Sequence, residues 1–208
     1  MTKVAIIYHS GYGHTAKVAD HILKGAQAVH GADVTLYKAD DLTSPDKGPW
    51  SELAQADAII FGAPTYMGSA SAVFKQFMEA ASKVWMAQGW RDKIAAGFTN
   101  SGSLAGDKLN TLQEFAIFAG QQGMIWVNYG AFPGYNTSQS DYETAWNRAG
   151  HMIGLGTQAL TDLPADHTET ITGVLNHPDA KTATERFGAV DRPVALITGI
   201  AGQDGSYL

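Results

Sequence analysis

The stretch KVAIIYHSGYGHTA, residues 3–16, decides the fold that this sequence predicts. Its residues 4–8, VAIIY, form an apolar run typical of a strand buried on both faces of a parallel sheet. SGYGHT follows at residues 10–15, with two glycines and the aliphatic hydroxyl groups of Ser10 and Thr15, and we expect a helix to begin near Thr15. Backbone N–H groups and the positive end of a helix favour an anion, and a phosphate monoester suits a turn without Lys or Arg. The alternative is an ordinary strand-to-helix turn without a ligand.

Two more apolar runs, at residues 58–64 and 94–99, end in loops rich in Gly and hydroxyl residues, TYMGS at 65–69 and NSGSLAG at 100–106. Shorter strands are expected at 33–38 and 124–127, and helices at 16–29, 50–56, 71–87 and 107–122. This alternation predicts βαβ units with a parallel sheet. Because the carboxyl ends of parallel strands meet at one edge, we expect the three loops to converge on a ligand.

The last quarter of the chain gives weaker signals. A helix is expected at 142–160, irregular chain at 163–178 and a short helix at 182–187. From residue 193 a strand leads into GxxGxxG, which resembles the opening of nucleotide-sugar dehydratases. The sequence stops where the helix of that motif should begin, so we expect no NAD-binding role for this tail.

Composition narrows the classes of function. The chain has 208 residues, 45% hydrophobic and 16% charged, which predicts a globular domain with a sizeable core. A net charge of −6 without a Lys/Arg cluster argues against nucleic-acid binding and membrane insertion. The absence of cysteine excludes disulfides, thiolate nucleophiles and cysteine-held metals, and no His/carboxylate motif indicates a metal. Without a leader or an apolar run of membrane-spanning length, a cytoplasmic protein is expected.

Taken together, the three loops resemble the FMN-binding loops of the flavodoxin-like superfamily. The nearest resemblance is to the WrbA-type NAD(P)H:quinone oxidoreductases and the related NADPH-dependent FMN reductases, a group marked by the S-x-Y-G-H pattern found here at residues 10–14. The resemblance covers residues 3–160. It implies an α/β fold, a flavodoxin-like doubly wound three-layer sandwich with a five-stranded parallel sheet. It also implies one FMN-binding domain at 1–190, followed by a tail at 191–208 that is no independent domain.

The same resemblance implies a role for each loop. The first would wrap the FMN phosphate, the second would lie along the isoalloxazine ring, and the third would cover the other polar edge of the ring. The residues implied are Ser10, Gly11, Tyr12, Gly13, His14, Thr15, Pro64, Thr65, Tyr66, Met67, Gly68, Asn100, Ser101, Gly102, Ser103, Leu104, Ala105 and Gly106. Trp85 matches the aromatic residue that WrbA-type tetramers present near the flavin, with a core or interface position as the alternative.

Two departures from the family pattern affect the expected chemistry. Residues 121–124 are QQGM, where WrbA-type proteins carry His-His-Gly-Met, so Gln122 replaces a titratable ring by a neutral amide. Residues 66 and 67 are Tyr-Met where those proteins usually carry Arg-Phe, which removes a cation that would attract an anionic nicotinamide donor. FMN binding is compatible with both changes. The changes affect the expected binding and reaction of quinone and NAD(P)H.

The resemblance therefore predicts an oxidoreductase that passes two electrons from NADH or NADPH through FMN to a quinone or a similar small acceptor. Gln122 and Tyr66 are the candidates for a catalytic contribution, and Trp85 and Gln122 for contact with the substrate. A homo-oligomer, either a dimer or a tetramer, is carried over from the family. The alternatives are a one-electron carrier of flavodoxin type and a flavin-binding protein with vestigial redox activity.

Overall fold

The structure is a computed structural model, and it describes residues 1–140 and 147–165. In chain order its elements are β1 (Thr2–Tyr8), α1 (His14–Gln27), β2 (Ala32–Lys38), a 3-10 helix (Ala39–Leu42), α2 (Trp50–Leu53), β3 (Ala58–Tyr66), β4 (Ser69–Ala70), α3 (Ala72–Ala80), α4 (Ser82–Met86), β5 (Ile94–Ser101), α5 (Lys108–Gln121), β6 (Ile125–Trp126) and β7 (Leu155–Gln158). The helix expected at 71–87 is divided in two at Ala81, whose backbone is not helical.

A parallel sheet in the order β2-β1-β3-β5-β6 forms the middle layer. The short β4 pairs antiparallel with the end of β3 and stands outside this order. The chain moves outward from β1 first to β2 and then to β3 on the other side, so the strand order reverses between β1 and β3. Flavodoxin-like sheets place their ligand crevice at this reversal, at the carboxyl ends of the strands. The predicted flavodoxin-like fold with a five-stranded parallel sheet is confirmed.

The fifth position of the sheet is shared by two segments. β6 pairs with the start of β5, at Ile94 and Ala95, and β7 pairs with its end, from Phe98 to Ser101. The helix expected at 142–160 is therefore wrong for residues 147–160, which form turns and β7. Glycines at positions 150, 154 and 156 disfavour a helix, and a Cβ atom on Gly154 would stand 2.7 Å from the carbonyl oxygen of Gly97. Residues 142–146, the helix expected at 182–187 and the tail lie outside the described residues.

Apolar side chains pack on both faces of the sheet, as the run in β1 predicts. Val4 and Ile6 face α1, where Val18 and Ile22 lie in the same buried cluster. Ala5 and Ile7, the alternate residues, belong to a second cluster with α3 and α5 on the opposite face. The period of two in β1 and the helical spacing in α1 thus build the layers of the sandwich.

An aromatic cluster packs the middle of β3 against α3 and α5. Its members are Phe61, Phe74, Phe77, Trp90, Phe115 and Phe118. The rings of Phe74 and Phe115 are closest, with centroids 4.9 Å apart. Burying each of these side chains contributes about 2–3 kcal/mol. On the α1 face, a Cβ atom on Gly62 would lie 2.0 Å from Phe98, so only glycine lets the ring cover β3 at this point.

Candidate functional site

The three loops meet at the carboxyl ends of β1, β3 and β5, around a cavity of about 160 Å³. Its lining contains residues of all three loops and of the segment after β7: Ser10, Tyr12, His14, Thr15, Pro64, Thr65, Tyr66, Asn100, Ser101, Gly102, Ala159 and Thr161. The fold thus brings together the three predicted loops, although the first and the third start 90 residues apart, at positions 10 and 100. A larger groove of about 680 Å³ lies between α3 and α5 and reaches the second loop at Ser69.

The first loop presents a helix start without an internal partner. Helix α1 begins at His14, one residue before the expected start, and Gly13 takes a φ of +90° to enter it. No side chain in the described part of the chain caps the first turn of α1, and this turn contains no acidic residue. The Oγ atom of Ser10 accepts a hydrogen bond of 3.1 Å from the Gly13 N–H. The buried Nδ1 atom of His14 has no hydrogen-bond partner in the described parts of the chain. These unpaired groups at the positive end of α1 suit an anion.

Tyr12 and Tyr66 form an aromatic pair at the rim of the cavity. Their rings meet edge to face with centroids 6.1 Å apart, and the Tyr12 ring is 80% exposed. The backbone of Tyr12, rather than its ring, is thus what the loop can offer to a phosphate. Burial raises the pKa of Tyr66, the neighbouring Tyr12 raises it further, and a hydrogen bond from the Gly11 backbone opposes the shift. Tyr66 therefore connects the second loop to the first.

The second loop is a hairpin between β3 and β4. Met67 and Gly68 both have positive φ, 49° and 84°, as a two-residue type I′ turn requires. Met67 is 99% exposed at the tip, while Thr65 points into the protein. The hydroxyl of Thr65 is hydrogen-bonded to those of Thr99 and Thr111, each at 2.8 Å. Tyr66 and Met67 thus face the outside, whereas the Thr65 hydroxyl is occupied within the chain.

Helix α5 holds this hairpin in place. The Oε2 atom of Glu114 accepts hydrogen bonds from the Ser69 hydroxyl at 2.8 Å and from the Ala70 N–H at 3.0 Å. The side-chain amide of Asn110 donates to the Gly68 carbonyl at 2.6 Å. Three hydrogen bonds with side chains of one helix therefore fix the rim that the hairpin forms, two accepted by Glu114 and one donated by Asn110.

The third loop is fixed by contacts on its inner side. The Oδ1 atom of buried Asn100 accepts a hydrogen bond of 2.9 Å from the Thr157 hydroxyl, and the side-chain amide of Gln158 donates to the Gly102 carbonyl at 2.9 Å. Lys108, the first residue of α5, is fully buried, and its Nζ atom donates to the carbonyls of Ser103 at 2.5 Å and Leu104 at 3.1 Å. Burial lowers the pKa of Lys108 to about 8. Burial, and next the charge of Lys108, lower the pKa of His151.

Several of these residues could not be found from sequence. Ala159 and Thr161 line the cavity because β7 extends the sheet where a helix was expected. A Cβ atom on Gly102 would lie 2.7 Å from Thr161, and one on Gly13 would lie 3.1 Å from Ala165, so this segment closes one side of the site. Lysine at the start of a helix normally indicates an exposed position, and no sequence signal marks the burial of Lys108.

Trp85 and Gln122 do not join the loops within one chain. Helix α5 begins beside the site, at the carboxyl ends of the strands, and runs to their amino ends over 14 residues, about 21 Å at the helical rise. Gln122 follows its last residue, is buried, and leaves Oε1 without a hydrogen-bond partner in the part of the chain that the structure describes. Trp85, in α4, lies between the end of α3 and the start of β5 and is 51% exposed.

The donor set at the cavity fits FMN. Backbone N–H groups, hydroxyls and the positive end of α1 suit a phosphate, and the aromatic pair at the rim suits a flat ring. Within residues 1–140 and 147–165, no three His, Asp or Glu side chains lie close enough together to hold a metal ion. Over the same residues, no helix is both long and apolar enough to cross a membrane.

Comparison with known proteins agrees with this geometry. The family model described as NADPH-dependent FMN reductase matches residues 2–137. Flavodoxin FldP of Pseudomonas aeruginosa is 40% identical over 176 residues, covering 82% of this chain and 91% of the relative. Quinone-oxidoreductase QR2 of Triphysaria versicolor is 31% identical over 175 residues, covering 77% and 83%. The crystal structure of a WrbA-like flavodoxin from Agrobacterium tumefaciens is 43% identical, with a TM-score of 0.56, and the match covers 68% of this chain and 86% of that one.

These matches confirm the resemblance drawn from the three loops and, at the level of the family, the expected cofactors, FMN with NAD(P)H as electron donor. The chain belongs to the NADPH-dependent FMN reductase family, within the group of flavodoxin-like oxidoreductases that includes the WrbA-like proteins.

Proposed function

We propose that this protein is an FMN-dependent oxidoreductase that moves two electrons from NADH or NADPH to a quinone or a similar small acceptor. The observation that carries the proposal is the cavity at the reversal in strand order, which has an anion-adapted helix start at one end and an aromatic rim at the other. The similarity to a relative named as a quinone oxidoreductase supports the acceptor class.

Each loop has a proposed role in holding FMN. The first loop, residues 10–15, binds the phosphate through backbone N–H groups and the hydroxyls of Ser10 and Thr15. The hairpin, residues 64–68, supports the ring with Tyr66 and Met67. The third loop, residues 100–106, donates N–H groups to the polar edge of the ring. The structure supports this division of roles, because exposed N–H donors lie in the first and third loops and exposed apolar surface lies on the hairpin.

A bound FMN would supply the redox chemistry, the transfer of a hydride equivalent from the nicotinamide to the acceptor, and a quinone acceptor would also take up one proton from solvent to become a hydroquinone. The protein contributes position and electrostatics. The outward-facing Tyr66 and Met67 give the acceptor an apolar surface. N–H groups of the third loop stabilise negative charge at the polar edge. None of these steps requires an acid or a base from the loops.

A homo-oligomer, either a dimer or a tetramer, forms part of the proposal. Trp85 is half exposed and lies far from the cavity of its own chain. Like Trp85, Gln122 lies at the amino ends of the parallel strands, opposite the cavity. A neighbouring copy can bring the exposed Trp85 to the acceptor side of the site, whereas the buried Gln122 can support that surface only from within its own chain. Sedimentation velocity of the wild type and of Trp85→Ala tests this. A smaller species for the variant with unchanged FMN affinity is expected, and a monomeric wild type contradicts it.

The proposal also includes a cytoplasmic location, where NAD(P)H is available, and a single FMN-binding domain at 1–190 followed by a tail at 191–208 without a domain of its own.

A one-electron carrier of flavodoxin type is the second candidate, since a relative that is 40% identical is named a flavodoxin. A carrier uses the same FMN loops but does not oxidise nicotinamide by itself.

One absorbance experiment separates the candidates. Purified protein is titrated with FMN, then given NADH or NADPH, and finally benzoquinone. Bleaching of the flavin band by the nicotinamide and its recovery with quinone are expected for the enzyme. Bleaching by dithionite alone indicates a carrier, and protein that stays colourless after FMN is added contradicts both candidates.

A further inference from the structure

Lys108 is a buried cation without a carboxylate partner among the described residues. Its side chain is 0% exposed, and the ion pairs in the described part of the chain, Lys83 with Asp46 and Arg91 with Asp92, do not include it. It also occupies the first turn of α5, where the positive end of the helix disfavours a cation. Its charge lowers the pKa of His151, itself a base whose buried Nε2 atom has no hydrogen-bond partner in residues 1–140 and 147–165. Burying an unpaired charge is costly, so a sequence retains one where it serves a purpose.

The two hydrogen bonds from Lys108 determine how the third loop faces outward. Its Nζ atom binds the carbonyl oxygens of Ser103 and Leu104. In a planar trans peptide the N–H points opposite to the C=O, so the N–H groups of Leu104 and Ala105 point away from the ammonium group. Both residues lie on the exposed side of the loop. Neither N–H donates to any acceptor in residues 1–140 and 147–165.

We propose that Lys108 is a positioning residue that aims the Leu104 and Ala105 N–H groups at the bound flavin and, by its uncompensated charge, favours the reduced flavin over the oxidised flavin. This inference rests on the proposed flavin site. The ammonium group polarises the two peptide units, which makes their N–H groups stronger donors. Negative charge that develops on the polar edge of the ring during reduction then meets two aligned donors with a cation behind them. The reduced ring supplies the counter-charge that residues 1–140 and 147–165 do not.

The test compares the midpoint potential of bound FMN in the wild type, Lys108→Gln and Lys108→Met, together with the dissociation constant for oxidised FMN from fluorescence titration. Gln keeps a donor for the two carbonyls without the charge, while Met removes both. We expect Lys108→Met to bind oxidised FMN within about threefold of the wild type and reduced FMN at least tenfold more weakly. For a two-electron couple that tenfold change lowers the potential by about 30 mV. Lys108→Gln should fall between the two.

The control is Lys24→Met, which removes the same charge from an exposed position in the last turn of α1 and should leave the potential unchanged. A Lys108→Met protein that binds FMN with the wild-type potential overturns the inference but not the proposed function. A wild type that does not bind FMN overturns both.

A second measurement covers the case in which Lys108→Met does not fold. Amide hydrogen exchange in the wild type, with and without FMN, should slow at least tenfold at Leu104 and Ala105 when FMN binds. Unchanged exchange at both amides overturns the inference, because the two donors would then not contact the flavin.

Discussion

The hydroxyl oxygen of Tyr66 lies 2.7 Å from the point at which a Cβ atom on Gly11 would stand. The hairpin and the first loop therefore share one small space, and a methyl group at position 11 must push the tyrosine aside. We expect Gly11→Ala to fold and to bind FMN about tenfold more weakly, or ~1.4 kcal/mol. Fluorescence titration of FMN measures the change.

Adding Tyr66→Phe to Gly11→Ala removes the hydroxyl and should recover most of the lost affinity. Gly120→Ala is the matched control, because a Cβ atom there meets no atom within 4 Å and the residue lies in a helix. It should keep the wild-type affinity and gain up to about 1 kcal/mol of stability. Wild-type affinity in Gly11→Ala would show that the shared space has no bearing on the flavin.

Gly13 and Gly31 have nearly the same positive φ, 90° and 84°, but only Gly13 lies at the site. Valine at either position forces a β-branched side chain into the left-handed region, which costs about 1–2 kcal/mol of folding free energy. Only Gly13→Val should also weaken FMN binding, because it distorts the start of α1. Urea unfolding and FMN titration of both variants separate the two effects, and equal affinities would remove the first loop from the site.

Ser10→Ala removes the acceptor of the Gly13 N–H, a hydrogen bond of 3.1 Å. The expected loss is about 1 kcal/mol in FMN binding or in loop stability. An unchanged dissociation constant together with unchanged stability would contradict a role for this hydroxyl.

Thr99 lies at the centre of the hydroxyl cluster beneath the hairpin, and its hydroxyl donates to the Ala63 carbonyl at 2.7 Å and is hydrogen-bonded to Thr65. Thr99→Val keeps the shape of the side chain but leaves that buried carbonyl without this donor, so a destabilisation of about 1–3 kcal/mol is expected. Thr99→Ser retains the hydroxyl and should lose less. The midpoints of urea unfolding at equal slope provide the comparison, and equal losses in the two variants would refute the hydrogen-bond explanation.

The pKa of Lys108, lowered by burial from 10.5 to about 8, makes stability depend on pH. Between these values the unfolded chain binds more protons than the folded chain, so raising the pH favours the folded state. We expect the free energy of unfolding to rise from pH 8 to pH 10.5 in the wild type relative to Lys108→Met. Parallel pH profiles for the two proteins would contradict a depressed pKa.

His151 acts at the other end of the pH range. Burial first, and Lys108 second, lower its pKa from 6.5, so the unfolded chain takes up its proton more readily. The corresponding part of the stability is lost as the pH falls below 6.5. In Lys108→Met this loss should be smaller, because one of the two causes is removed.

Periodicity and turn chemistry were sufficient to predict most of the fold. The apolar run in β1 and the Gly-bearing loops gave the parallel sheet and the edge at which the loops meet, since both depend on local patterns. The helix expected at 142–160 failed because the open edge of β5 offered residues 155–158 a pairing that no local pattern reveals. Lys108 was missed for a similar reason: its burial depends on His151 and Gly156, which are distant in sequence.

Two separate segments, β6 and β7, pair with the two halves of one side of β5. Ile125 and Trp126 protect the start of β5, while Leu155–Gln158 protects the end that carries Asn100 and Ser101. Amides of the pairing between β5 and β7 can therefore exchange with solvent by a local opening that leaves the pairing between β5 and β6 intact. The end of β5 at the site would then have a free energy of opening below that of global unfolding. The remainder of the strand would exchange only when the whole domain unfolds.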